Sequence, residues 1–89
     1  MDVTTINSYI SANRLDEALA LISRALNENP QDAEALFARG RINWRKGLRG
    51  EAISDYEAAV AIDPASPARI ALDQARDVMD FFNPDIFNP

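Results

Sequence analysis

Apolar residues along this chain recur at helical spacing in five segments. Val3, Ile6, Tyr9 and Ile10 open the series, and Ala18, Leu19, Ile22, Ala25 and Leu26 follow. Leu36, Phe37 and Trp44, with the small Gly40 among them, make a third stripe; Ala52, Ile53, Tyr56, Ala59 and Val60 make a fourth. In the last, Ala71, Leu72, Ala75, Val78, Met79 and Phe82 share one face, while Arg69, Asp73, Arg76, Asp77 and Asp80 fall largely on the other. Residues three and four apart lie on one side of a helix, so each stripe predicts an amphipathic helix and none predicts a strand. The predicted boundaries are 3–12, 16–28, 33–46, 50–62 and 67–82.

The stripes are copies of one another. Adding 34 to each member of the second stripe gives the fourth, residue for residue in kind. The breaks repeat as well. Pro30 maps onto Pro64, each closing a helix because proline has no amide hydrogen and crowds the preceding turn. Asp32 maps onto Ser66, two side chains able to cap the next helix, and Pro67 stands at the favoured first helical position. Asn13 maps onto Gly47, two residue types that tolerate the left-handed backbone ending a helix. Core and punctuation therefore repeat together.

Composition narrows the chemistry available to such a repeat. At 89 residues the chain is one domain, and a globule of this size buries only about 60% of its unfolded surface. It has neither cysteine nor histidine, which removes disulfides, thiolates, imidazole bases and the usual zinc ligands. A carboxylate-only site needs acids converging in a pocket, and so short a helical chain does not enclose one. No enzyme activity and no cofactor are expected. Residues 1–10 show no basic region followed by an apolar run, and no stretch approaches a membrane span, so the expected location is cytoplasmic.

A 34-residue helix-turn-helix unit closed by proline resembles the tetratricopeptide repeat. Residues 33–66 resemble one complete copy, with Gly40 and Ala52 where the two helices cross, then Tyr56, Ala59 and Pro64. Residues 1–32 resemble a slightly shortened copy, with Tyr9, Leu15, Ala18, Ala25 and Pro30. Ile6 stands where the second copy has Gly40, which implies a wider first crossing, and Asn43 replaces the aromatic represented by Tyr9. Residues 67–82 match only as a capping helix, with Gln74 and Asp77 at the positions of Gly40 and Asn43, and 83–89 follow as an extended tail. The implied fold is all-α: a right-handed α-solenoid of antiparallel helix pairs, five helices in all.

In that family the first helices of successive repeats line a concave groove for a partner's peptide or helix. By position, the resemblance implies a groove formed by Val3, Asn7 and Ile10 from the first unit and by Phe37, Arg41, Trp44 and Arg45 from the second, with Ala71, Ala75 and Val78 contributed by the cap. The clamp that some members use for chaperone C-termini matches poorly: Asn7 fits one position, but Val3 and Ala38 replace the expected lysine and asparagine.

Charge singles out the same surface. Arg39, Arg41, Arg45, Lys46 and Arg49 put five of the nine basic residues into eleven positions free of acid, within a chain of net charge −5. Arg41 and Arg45 share a face beside Phe37 and Trp44, an arrangement suited to an acidic or apolar segment of another protein. A solvated face, or ion pairs to Glu34 and Asp55, would use the same arginines, and Phe37 and Trp44 would equally suit core packing. Nucleic acid is not expected, because the acidic remainder repels a polyanion. Pro84 should stop the last helix, and Ile86 and Phe87 in the tail would either fold back onto the solenoid or dock into a partner or a second copy's groove, the latter giving a homodimer through the capping helix and the tail.

Overall fold

The computed structural model describes residues 3–81 as five α-helices with no strand among them. They are α1 (Val3–Ser11), α2 (Leu15–Glu28), α3 (Ala33–Arg45), α4 (Arg49–Ile62) and α5 (Ala68–Phe81), each within two residues of the boundary the apolar spacing predicts. Each helix packs on the next in sequence, and α1 also touches α3, which is the adjacency of stacked helical hairpins. The result is elongated, 46 × 27 × 18 Å. Phe82 and residues 83–89, including Ile86 and Phe87, lie outside the described residues.

Backbone hydrogen bonds explain why the helices end where they do. Asn13 takes φ 60° and Gly47 φ 81°, the left-handed conformation expected of both. The amide of Asn13 donates to the Ile10 carbonyl and that of Arg14 to Tyr9; 34 residues on, Gly47 donates to Trp44 and Leu48 to Asn43. These are paired Schellman closures, which satisfy carbonyls that a helix end leaves open. The second hairpin junctions repeat equally well. Asn29 Oδ1 accepts from the Gln31 amide and Asp63 Oδ1 from Ala65, so a short side chain shapes each turn around its proline. Asp32 then caps α3 through the Ala35 amide at 3.0 Å, and Ser66 Oγ accepts from Ala68 at 3.1 Å at the start of α5.

The interior divides into two clusters. Ile6, Ile10, Ala18 and Ile22 bury themselves with Ala35, Ala38 and Ile42, whereas Leu36, Ala52, Tyr56 and Ala59 bury themselves with Ala68, Leu72 and Ala75. Leu26 packs against both and joins them. α3 thus contributes one side to each cluster, which makes it the central wall of the molecule. At Gly40 a β-carbon would lie 2.5 Å from the Tyr56 ring and 3.2 Å from the Ala52 carbonyl, so only glycine lets α3 and α4 cross this closely. In the first pair the corresponding Ile6 is fully buried beside Ala18 and Ile22.

On α5, Leu72 and Ala75 are buried and Ala71 and Val78 half-buried, as an amphipathic terminal helix requires. Met79, expected on the packed face, is instead 39% exposed, and Ile70 is 65% exposed. Among the described residues no further helix covers this side of α5.

Candidate functional site

α3 stands between α1 and α5, packing on α1 and sharing a cavity with α5. Phe37 and Trp44, two turns apart on α3, are both half-buried. Phe37 leans on Tyr56 with ring centroids 6.0 Å apart and a 48° tilt, so the core holds one side of the ring while the residue stays partly exposed. Burial pushes the Tyr56 phenol above its ordinary value of 10.0, with Arg41 acting in the opposite direction.

Two cavities flank α3. One, of about 310 Å³, lies among α1, α3 and the turn before α5, its lining including Val3, Asn7, Phe37 and Arg41 together with Glu34, Asp63 and Pro67. The other, of about 230 Å³, lies between α3 and α5 and is lined by Trp44, Tyr56, Ala71, Gln74, Ala75 and Val78. Four of the seven sequence-predicted groove residues therefore surround the first cavity. Trp44 and all three expected cap residues surround the second.

Ile10 is a correction. Its side chain is 1% exposed, packed with Ala38 and Ile42, and offers nothing to a partner. Only its carbonyl reaches out, and Arg45 Nη1 donates to it at 2.8 Å. Arg41 Nη1 likewise donates to Asn7 Oδ1 at 2.9 Å while its guanidinium sits 5.8 Å from the Phe37 centroid. Arg41 and Asn7 occupy the same position in successive repeats, so this bond is a rung between stacked first helices.

The basic run therefore serves several ends. Arg39 grips Asp55 through two hydrogen bonds of 3.0 and 2.8 Å, and Asn43 adds a third to Asp55 at 3.0 Å. The hydrogen bonding to Asp55 raises the Arg39 guanidinium above its ordinary value. Lys46 Nζ pairs with Asp16 at 3.0 Å. Arg49 lies over the Trp44 ring, 5.1 Å from its centroid. Sequence reading weighed an ion pair between these arginines and Asp55 as the alternative to a binding face, but did not see Asn43 as a second donor to Asp55 or Arg49 on the Trp44 ring. A signal existed: shifted by 34, Arg39, Asn43 and Asp55 become Thr5, Tyr9 and Leu21, so a half-apolar face in one unit is a charged face in the other.

A model of the tetratricopeptide repeat matches residues 4–67. The chain belongs to the tetratricopeptide repeat family. A Bacteroides fragilis protein solved in solution by NMR shares the fold, with a TM-score of 0.85 and 29% identity, over 99% of this chain and 91% of that one. Two curated relatives match a shorter stretch. The DnaJ homolog subfamily C member 7 homolog of Schizosaccharomyces pombe is 34% identical over 63% of this chain, and the cellulose synthase operon protein C of Escherichia coli K12 is 35% identical over 64%. The chain spans only 12% of the length of the first and 5% of the second.

Tetratricopeptide repeats are helical scaffolds through which proteins bind other proteins, and the described residues of this chain form two helical hairpins followed by a fifth helix. Among the described residues no group of acidic side chains is arranged to hold a metal ion, and no helix is long and apolar enough to cross a membrane.

Proposed function

We propose that this tetratricopeptide chain is a non-catalytic interaction module that takes an acidic or apolar peptide segment of another protein along the face formed by α1, α3 and α5. The observation that carries this reading is the pair of cavities on either side of α3, each walled by a half-buried aromatic that the core holds in place, Phe37 in one and Trp44 in the other. Rigid aromatics with an open edge make strong binding anchors, because little side-chain entropy is lost when a partner covers them. Arg41 supplies a cation to the first cavity while remaining fixed by Asn7. A cytoplasmic setting belongs to the same proposal.

Peptide selection against the immobilised full chain, followed by mapping of amide shifts by NMR, tests it. Selected peptides should move the amides of Val3, Asn7, Phe37, Arg41 or Trp44. Peptides that move only the opposite face, around Arg39, Ser54 and Asp55, would refute the groove.

A second reading is self-association through α5, favoured by the exposure of Ile70 and Met79 on that terminal helix. Light scattering decides it: a homodimer that Ile70→Asp converts to monomer supports the reading, and a monomeric wild type removes it.

A further inference from the structure

The two cavities are not equivalent in charge. Around the first, Arg41 is already bonded to Asn7, and the acidic Glu34 and Asp63 are part of the lining. Around the second the lining is neutral: Trp44, Tyr56, Ala71, Gln74, Ala75 and Val78. Its neighbouring cation is Arg49, which is exposed and, among the described residues, is held by the face of the Trp44 ring alone. The other members of the basic run are engaged, Arg39 by Asp55, Arg41 by Asn7, Arg45 by the Ile10 carbonyl and Lys46 by Asp16. Arg49 is therefore the member of the run whose hydrogen-bond donors remain available to a ligand, and five donors in a planar fork suit a carboxylate.

From this placement we infer that the slot between α3 and α5 is the specificity subsite of the groove, and that it takes a bulky apolar side chain, leucine- or phenylalanine-sized, with a carboxylate next to it in the partner's sequence. The inference rests on the groove reading above and narrows it to one end. A dry cavity of about 150 Å³ accepts benzene, so the observed 230 Å³ has room for one such side chain. The small residues Ala71 and Ala75 make that room. Val78 and Trp44 close its sides, and Gln74 offers the amide that a peptide backbone at the mouth can meet. The carboxylate falls to Arg49, already oriented by its stacking on Trp44, so that apolar contact and charge contact meet at a single indole.

The chain's one tryptophan is Trp44, so its fluorescence originates at this subsite. The probe is a capped hexapeptide, Ser-Asp-Asp-Phe-Leu-Ser, titrated into the full chain, with three control peptides in which Phe and Leu are replaced by Ala, both Asp by Asn, or both Asp by Lys. We expect saturable change in Trp44 emission, about tenfold weaker binding when Phe and Leu are lost, a clear weakening with Asn, and the weakest binding with Lys. Arg49→Glu should reverse the order of the acidic and Lys peptides. Ala71→Phe, which fills the slot from within, should abolish the response at unchanged helicity by circular dichroism. Amide shifts separate the failures. Binding that moves Val3, Phe37 and Arg41 but leaves Trp44, Ala71 and Val78 unmoved overturns the subsite while sparing the groove. No saturable binding by the acidic-apolar probe likewise overturns the subsite, and the groove is then judged by the selected peptides.

Discussion

The two helical hairpins carry the same punctuation and different interiors. In the first, a buried Ile6 meets Ile22 across the helix crossing; in the second, Gly40 meets Tyr56. Medium against medium and small against large fill the same kind of space, so the family's fold constrains the sum of the two side chains more tightly than either one. The choice has a consequence at the surface. Tyr56 is long enough to reach past the crossing, support Phe37 and line the slot beside Trp44, whereas nothing places Ile22 on that face. The glycine at position 40 is thus part of the site through the tyrosine it admits.

Exchanging the two solutions gives the largest effect. Gly40→Ile drives a side chain into the Tyr56 ring and should cost about 3 kcal/mol or more, combining overpacking with backbone shift. Gly40→Ile with Tyr56→Ile recreates the first hairpin's pair and should recover at least half of the loss in urea denaturation. If the double variant is no better than the sum of the single ones, the complementarity argument fails.

The second difference lies between α3 and α4, where Arg39, Asn43 and Asp55 replace Thr5, Tyr9 and Leu21. Asp55 is only 6% exposed, so Asp55→Ala leaves Arg39 and Asn43 without their acceptor. Arg39 is 41% exposed and can turn to water, which limits the expected loss to about 1–2 kcal/mol. Replacing all three by the first hairpin's residues should come out nearer to neutral, because a polar network removed whole leaves no orphan. Thermal melts of the single and triple variants check the order.

These comparisons also show how far sequence reached. The five helices, their ends and the capping residues were legible because each is fixed by local chemistry: Asn13 and Gly47 at left-handed positions, Asp32 and Ser66 at caps, apolar residues three and four apart. Phe37, Arg41 and Trp44 were legible as neighbours on one helix face. What local spacing could not supply was the fate of groups whose partners lie a whole repeat away. Ile10 sits at the same repeat position as Trp44, yet it is sealed into the core beside Ala38 and Ile42, and Arg45 crosses from α3 to its carbonyl. Arg41 finds Asn7 at a separation of 34 residues, a distance that no helical period describes.

Tyr56 also distinguishes the hairpins by titration, since Ile22 has no proton to lose. Its folded value lies above the unfolded reference of 10.0 because burial disfavours the phenolate. The folded chain therefore holds this proton after the unfolded chain has released it, so the stability tied to neutral Tyr56 is complete below pH 10 and declines as pH rises through the folded value. In a Tyr9→Phe background the loss of stability between pH 9 and pH 11 should be reduced by adding Tyr56→Phe; equal slopes would refute the assignment.

The smallest expected effect concerns the two turns that look most alike. Asn13 and Gly47 make the same pair of closing hydrogen bonds, at φ 60° and 81°. Asparagine tolerates this conformation at some cost and glycine at none, while glycine leaves the unfolded chain more freedom. A β-carbon at Gly47 would meet nothing within 4 Å, so Gly47→Ala tests backbone strain without a packing change and should cost about 1 kcal/mol. Asn13→Ala should cost less, about 0.5 kcal/mol, because part of the strain is already present in the wild type. Equal losses at the two sites would mean that the Asn13 side chain contributes to its turn beyond tolerating the backbone, and the two closures would then be alike in geometry but not in cause.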